Sequence, residues 1–200
     1  MKYIVEHMEE EVYEWCKLEY SHMANIVGGD NLIFTNVTEV DISKMPKNIN
    51  PSNCHKASIE GLNLDIKKVC LLDQEASKVL SPEDIEEFDY LLFGGILGDE
   101  DTEAMECLVK DRTSELRKLG FPTRHLGAAQ MTTDGAVLTS KIILEDKIPF
   151  EEIKFVDHPE VKVSKNESTI MPFRYVMDSK GKPIMAPGMV ELFKNDTFDL

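Results

Sequence analysis

One stretch of the sequence decides how the chain folds: Tyr90-Leu91-Leu92-Phe93-Gly94-Gly95-Ile96-Leu97-Gly98-Asp99. Its apolar first half shows no polar alternation, which is typical of a strand buried on both faces of a parallel sheet. The glycines that follow let the backbone adopt positive φ and approach a ligand closely. Ligands of open α/β sheets bind beyond the carboxyl ends of the strands, so the loop is a candidate ligand site. A tight turn between strand and helix is the alternative interpretation.

The spacing of these glycines excludes two common kinds of site. It matches neither G-x-G-x-x-G nor a phosphate-binding loop that ends in Gly-Lys-Ser/Thr. The sequence therefore does not support the usual dinucleotide and phosphate mechanisms.

The composition is that of a globular protein with one domain. The chain has 200 residues, of which 42% are hydrophobic, and this is enough for a sizeable core. It has no apolar run of about 18 residues, and its N-terminus lacks the apolar core of a signal peptide. We therefore expect a cytoplasmic protein that forms a single domain over residues 1–200, with a C-terminal hairpin and tail from about residue 165.

The cysteines and histidines have the spacing of neither a disulfide framework nor a metal site. The four cysteines are scattered without a C-x-x-C pair, and the five histidines show no H-E-x-x-H pattern. This favours reduced thiols in a cytosol and predicts no bound metal.

The net charge is −15 at pH 7, and the acidic residues form clusters within residues 9–14, 83–87 and 99–106. Such a surface repels the phosphates of nucleic acids, which makes nucleic acid an unfavoured partner. It attracts basic proteins or peptides. Simple solubility is the alternative interpretation of the charge.

Strand-like and helix-like segments alternate along the chain, which predicts an α/β fold with a mainly parallel sheet and helices on both faces. The predicted strands are 2–6, 31–36, 69–72, 90–93 and 123–126. The predicted helices are 9–27, 112–119 and 133–146, and a further short helix is predicted to start at 81–82. An extended segment at 154–163 and a hairpin of 173–177 with 183–185 follow. Residues 37–65 predict an irregular connection with one short helix.

Polar residues follow the ends of four predicted strands, and these ends lie at one edge of a parallel sheet. The segments are Glu6-His7-Met8-Glu9-Glu10, Asp73, Gly94 to Asp99, and Gly127 to Asp134. Loops rich in amides and poor in cations suit a neutral or zwitterionic ligand, and the carboxylates suit a cationic substrate. Each segment also has a structural interpretation: residues 9–11 as a solvated first turn of a helix, and Thr132-Thr133-Asp134 as a helix cap.

Six motifs together resemble the SPOUT-family protein arginine methyltransferases of fungi. They are EHMEE at 6–10, CLLD at 70–73, FGGILGD at 93–99, DRTSEL at 111–116, QMTTD at 130–134 and MPFRYVMDSKGKPIMAPGM at 171–189. FGGILGD followed by QMTTD is the most specific part of the resemblance, which covers nearly the whole chain.

The resemblance implies a SPOUT fold with a C-terminal trefoil knot, S-adenosylmethionine as the cofactor, and a monomer. It also implies that the substrate is an arginine of a small-subunit ribosomal protein. Carried over by motif, the cofactor-binding residues would be Leu72, Asp73, Phe93, Gly94, Gly95, Ile96, Leu97, Gly98, Gly127, Gln130, Met131, Thr132 and Thr133.

The residues at this edge suit methyl transfer to arginine. The reaction is an in-line displacement, which mainly requires that the reactants be positioned. A carboxylate can hold the protonated guanidinium in a bidentate pair and can accept its proton. The candidate catalytic residues are Glu6, His7, Glu9, Glu10 and Asp99, with His7 either a proton relay or part of a structural hydrogen bond.

Three classes of function stay open from the sequence. The first is a protein arginine methyltransferase. The second is a SPOUT RNA methyltransferase, against which the acidic composition speaks. The third is a non-catalytic acidic chaperone of a ribosomal protein.

Overall fold

A parallel sheet of five strands forms the centre of the structure, a computed structural model that describes residues 1–95, 113–162 and 168–195. The strands are β1 (Lys2–His7), β2 (Leu32–Thr35), β3 (Val69–Leu72), β4 (Tyr90–Gly95) and β5 (Thr123–Arg124). Their order across the sheet is β2-β1-β4-β3-β5, and every pairing within it is parallel. This confirms the predicted parallel sheet.

β4 lies in the middle of the sheet, as its unbroken apolar run predicts. Leu91 and Leu92 are both fully buried, but in separate clusters on opposite faces. Leu91 belongs to the cluster of Tyr3, whereas Leu92 belongs to the cluster of Ile4. A polar residue at either position would enter a core.

Helices cover both faces of the sheet, as predicted. They are α1 (Glu14–Val27), α2 (Glu39–Ile42), α3 (Asp84–Glu87), α4 (Thr113–Arg117), α5 (Thr133–Leu144) and α6 (Met189–Asn195). α1 and α5 contact each other and share the cluster of Leu91. Leu116 of α4 packs on the other face with Leu92. None of the described helices is long and apolar enough to cross a membrane.

α1 begins at Glu14, so the prediction of a helix from residue 9 is wrong at its start. The Val12 N–H donates to the Asp41 carboxylate at 3.3 Å, and Tyr13 has φ −67° and ψ 167°. The chain therefore reaches the helix in an extended conformation. The predicted buried stripe is confirmed, with Val12, Cys16, Tyr20, Met23 and Val27 all buried.

Most other differences from the predicted elements lie at their ends. β5 stops at Arg124, two residues early, and α5 stops at Leu144. α3 starts at Asp84, whose carboxylate accepts a hydrogen bond of 2.8 Å from the Ser81 N–H. The connection at 37–65 contains α2 and two 3-10 turns, at Pro51–Asn53 and Ile59–Leu62.

Two antiparallel pairs form in the C-terminal part of the chain. β6 (Phe155–Asp157) pairs with β9 (Arg174–Val176), and β7 (Glu160–Lys162) pairs with β8 (Ser168–Ile170). The extended segment predicted at 154–163 is therefore two strands with different partners. The predicted hairpin is confirmed by an antiparallel bridge between Met177 and Pro183. β9 also packs against α5, next to the sheet edge described below.

Candidate active site

The carboxyl ends of β1, β4, β3 and β5 meet at one edge of the sheet, as the sequence predicts. In the strand register Glu6 lies beside Gly94, and His7 lies beside Gly95. Farther along the edge, the Asp73 N–H donates to the Arg124 carbonyl at 2.9 Å. The remaining members of the glycine loop lie outside the described residues: Ile96, Leu97, Gly98 and Asp99.

Glu6 uses its carboxylate within the protein. The side chain is 5% exposed, and Oε2 accepts hydrogen bonds from the Thr35 hydroxyl and, at 3.0 Å, from the Ile59 N–H. These bonds join the end of β1 to β2 and to the turn at Ile59–Leu62. This gives Glu6 a structural role, and its catalytic role stays a prediction.

His7 is buried, and its Nδ1 lies 2.7 Å from the Tyr20 hydroxyl. This is the structural hydrogen bond, one of the two roles predicted for His7. Burial lowers the pKa of His7, and the charge of Asp41 and the backbone of Glu11 oppose that shift only in part. The ring therefore favours its neutral form. The role of His7 as a proton relay stays a prediction.

The neighbouring acids Glu9 and Glu10 differ in their environment. Glu10 is exposed, whereas Glu9 is half-buried. Burial, together with the charges of Glu19 and Glu9, raises the pKa of the Cys16 thiol to about 12. Glu9 thus lies near the inner face of α1. Its charge would act on a substrate group bound at the sheet edge.

Asp73, a predicted cofactor contact, forms a bidentate pair with Arg117 of α4. Arg117 Nη2 lies 2.6 Å from Asp73 Oδ1, and Oδ1 also accepts from the Glu75 N–H at 3.0 Å. Burial opposes ionisation of Asp73, but these hydrogen bonds prevail and lower its pKa. The pair ties the helix that follows the glycine loop to the end of β3. A ligand would meet the backbone of Asp73 rather than its carboxylate.

Three of the apolar residues predicted to contact the cofactor, Leu72, Phe93 and Met131, have side chains in or against the core. Phe93 is 3% exposed and stacks on Tyr3 with ring centroids 6.4 Å apart. Leu72 is half-buried against the same cluster. A ligand can therefore contact Phe93 only through its backbone. The same holds for Gly94 beside it, because glycine has no side chain.

The loop after β5 has a shape that requires glycine at its start. Gly127 has φ +82°, and a Cβ there would lie 2.8 Å from Phe150 Cζ. The Gly127 N–H donates to His125 Nδ1 at 3.0 Å. A side chain here would be strained by the positive φ and would have to displace the Phe150 ring, which favours glycine.

Arg174 of β9 supports the middle of the same loop. Its N–H donates to the Gln130 carbonyl at 2.8 Å, and it forms a parallel bridge with Met131. The guanidinium is fixed by Asp157 at 2.6 and 2.8 Å and lies 5.2 Å from the centroid of Phe155. Residues from the C-terminal part of the chain thus hold the loop in place.

Thr132 is the N-cap of α5, and Thr133 is the first residue of that helix. The Thr132 hydroxyl accepts from the Gly135 N–H at 3.3 Å, which confirms the predicted helix cap. The Asp134 carboxylate lies 2.7 Å from His22 Nδ1 and joins α5 to α1. Both threonines are buried, so their side chains have a structural role in addition to any contact with a ligand.

Sequence reasoning missed Glu19, which lies at the same place. Glu19 is 1% exposed, and its carboxylate faces the backbone N–H groups of Thr133 and Asp134. The signal that could have found it is its spacing. Positions 16, 19, 20, 23 and 27 share one face of a helix, so an acid at position 19 interrupts an otherwise apolar stripe.

Among the buried polar atoms near this edge, Nε2 of His7 and Oε1 of Glu19 have no hydrogen-bond partner within the described part of the chain. An unpaired buried polar atom is unfavourable, and a ligand that pairs with it relieves that penalty. The described residues contain no group of three acidic, histidine or cysteine side chains that could hold a metal ion.

Comparison with known proteins gives a consistent result for the whole chain. Residues 2–199 match the family model described as "Protein arginine N-methyltransferase SFM1-like". The Saccharomyces cerevisiae protein arginine N-methyltransferase SFM1 is 45% identical, and the match covers 98% of this chain and 96% of the yeast protein.

Solved structures of the yeast enzyme are similar in fold as well as sequence. Its complex with SAM (S-adenosylmethionine) has a TM-score of 0.85 and 44% identity, over 98% of this chain and 90% of that one. Its complex with SAH (S-adenosylhomocysteine) has a TM-score of 0.81 and 43% identity, over 96% and 94% of the two chains.

Proposed function

The chain belongs to the SFM1-like family of protein arginine N-methyltransferases, and from this premise we propose that it transfers a methyl group from SAM to an arginine of a small-subunit ribosomal protein. The observation that carries the proposal is the match to the yeast enzyme solved with SAM, over nearly all of both chains. The parallel sheet with helices on both faces is the SPOUT fold of these enzymes. The trefoil knot within it remains a proposal.

The sheet edge suits SAM. The loops after β3 and β5 and the carboxyl end of β4 offer backbone amides, and Gly94 has no side chain that would keep a ligand away. When bound, SAM supplies a methyl group activated by a sulfonium. We propose that it is held by the predicted residues Leu72, Asp73, Phe93, Gly94, Gly95, Ile96, Leu97, Gly98, Gly127, Gln130, Met131, Thr132 and Thr133. Asp73 and Phe93 would act through their backbone, because their side chains have partners within the protein.

The chain must also hold the substrate arginine and accept a proton from it. A guanidinium is protonated in water, and a nearby carboxylate both orients it and takes up the proton as the new bond forms. Among the predicted carboxylates, Glu6 is bound by Thr35 and Ile59, and Glu10 is exposed. We favour Glu9, because it is half-buried and follows directly after the end of β1, and keep Asp99 as the second candidate.

The proposed partner is a basic protein, and the supporting observation is the charge. A chain with a net charge of −15 attracts cationic partners and repels nucleic acid. We further propose that the enzyme acts as a monomer in the cytoplasm. The described cysteines Cys16, Cys54 and Cys70 are buried free thiols, which suits a reducing compartment.

A labelling experiment tests this function. The purified protein is incubated with methyl-tritiated SAM and proteins extracted from yeast 40S ribosomal subunits. We expect a labelled protein band that survives RNase, disappears with protease, and yields methylarginine on hydrolysis. Gly95→Trp, which fills the glycine loop, should abolish saturable SAM binding in calorimetry while the melting curve stays cooperative. Label in RNA, or binding of ATP or NAD in place of SAM, would contradict the proposal.

A further inference from the structure

Glu19 is an acidic residue on the buried face of α1, and we propose that its carboxylate binds the guanidinium group of the substrate arginine. This inference rests on the proposed function, because a guanidinium is the expected ligand only if arginine is the substrate. It assigns a binding residue that lies outside the motifs of the sheet edge.

Glu19 lies between two parts of the proposed site. On one side its carboxylate faces the N–H groups of Thr133 and Asp134, directly after the loop that Arg174 supports. On the other side its charge acts on Tyr20, whose hydroxyl is bonded to His7 at the end of β1. The carboxylate is thus close to both the proposed cofactor loop and the end of β1, after which Glu9 follows.

Within the described residues 1–95, 113–162 and 168–195, no lysine or arginine pairs with Glu19, and its Oε1 has no hydrogen-bond partner. Its acidic neighbour Asp134 has a partner of its own in His22, at 2.7 Å. A charged carboxylate that is 1% exposed and has no counter-charge is strongly unfavourable, even with backbone N–H groups beside it. A guanidinium supplies the missing charge, and its N–H groups form a planar fork that matches a carboxylate.

The protonation of Glu19 gives this binding a measurable signature. Burial, followed by the charge of Asp134, raises the pKa of Glu19 well above its ordinary value. The free protein therefore favours the neutral carboxyl group. Since the guanidinium keeps its own proton, binding expels the proton of Glu19 to solvent. The other titratable groups near it are Cys16 and Tyr20 on α1, Glu9 before α1, Asp134 with His22 on α5 and α1, and Tyr175 on β9.

Glu19→Gln in the full chain tests the assignment. The glutamine oxygen can still accept from the Thr133 and Asp134 N–H groups, so the fold is expected to persist. Kinetics with methyl-tritiated SAM and 40S ribosomal proteins should show a KM for the protein substrate raised roughly 10- to 100-fold, the scale of a charge-assisted hydrogen-bonded pair. The Kd for SAM, measured by calorimetry without protein substrate, should change less than about twofold. Glu14→Gln, on the exposed side of the same helix, should match the wild type.

A pH profile separates binding from a purely structural role. In the wild type, kcat/KM for the protein substrate should rise with pH as Glu19 loses its proton, and Glu19→Gln should lack that rise. Glu19→Asp, which keeps the charge with a shorter reach, should retain the rise and bind the substrate better than Glu19→Gln. If Glu19→Gln does not melt cooperatively, the comparison of Glu19→Asp with the wild type still tests the assignment.

The outcomes distinguish this inference from the proposed function. If the wild type methylates protein and Glu19→Gln has the same KM and pH profile, the assignment of Glu19 is overturned while the function stands. If Glu19→Gln weakens SAM binding tenfold without changing the KM for protein, then Glu19 binds a positively charged group of SAM and not the substrate arginine. The assignment is then also overturned. If the wild type itself methylates no protein, the proposed function fails.

Discussion

His7 and Tyr20 meet at 2.7 Å between Nδ1 and Oη, which fixes the imidazole at the end of β1. The two rings are nearly perpendicular, with an interplanar angle of 79°. The bond occupies one ring nitrogen and leaves Nε2 without a hydrogen-bond partner within the described part of the chain. The orientation of the ring is thereby set by Tyr20 of α1.

The lowered pKa of His7 predicts a loss of stability in mild acid. A group whose folded pKa is depressed contributes its full stability above its unfolded pKa, about 6.5 for histidine, and loses it as the pH falls through the folded value. The melting temperature of the wild type should therefore drop more steeply below pH 6.5 than that of His7→Gln. Tyr20→Phe should lower stability by about 1 kcal/mol, because it removes only the hydrogen bond. Parallel pH profiles for wild type and His7→Gln would contradict this view.

Gly127→Ala should destabilise the protein and weaken SAM binding. Gly120 is a matched control, since it has φ +81° and open space where a Cβ would stand, whereas a Cβ on Gly127 meets Phe150. Positive φ costs an alanine about 1–2 kcal/mol at either site. The contact with Phe150 should add about 1–3 kcal/mol at Gly127 alone. Denaturant unfolding and SAM calorimetry on both variants check this. Equal stability losses would show that Phe150 moves aside without effect.

Arg117→Ala should destabilise the end of β3 by about 1–2 kcal/mol. Asp73 is 5% exposed and would lose a bidentate partner, although its bond from the Glu75 N–H remains and solvent screens the half-exposed guanidinium. Asp73→Asn with Arg117→Ala should recover part of the loss, because no unpaired charge is then buried. A double-mutant cycle by urea unfolding measures the coupling. A coupling energy near zero would rule out a stabilising pair.

Glu9→Gln should lower the methylation rate by roughly 100-fold, the usual scale for acid–base catalysis. The variant keeps the size of the side chain and removes its charge, so SAM affinity should hardly change. Glu14→Gln again serves as the control, since Glu14 is exposed. The carboxylate mechanism would be excluded if Gln at positions 6, 9 and 10 and Asn at position 99 each gave well-folded protein with near-normal rates.

The sequence predicts those parts of the fold that depend on local pattern. The apolar run of β4 and the stripe of α1 are visible in the residues themselves, because burial on two faces or on one leaves a periodic signal. The start of α1 is set instead by Asp41, which holds the Val12 N–H from another element. No local pattern shows such a contact.

The candidate site also has parts that local sequence patterns predict and parts that they do not. The sheet edge, with Gly94 and Gly95 at the end of β4, follows from strand ends and so could be predicted. The partners of Glu6 and Asp73 are distant in sequence, and only the folded chain shows that Thr35, Ile59 and Arg117 occupy those carboxylates. Glu19 was missed because it is an acid within an apolar stripe, which is easily taken for the helix's solvent side.

The hydrogen bond from the Arg174 N–H to the Gln130 carbonyl has a consequence for biosynthesis. A chain emerges from the ribosome N-terminus first, at about 5–20 residues per second. All five strands of the parallel sheet precede Gln130, whereas the residue that holds its loop is made well after them. A nascent chain can therefore assemble its sheet before the loop at Gln130 has the backbone partner that fixes it, so we expect SAM binding to appear only once Arg174 has been made.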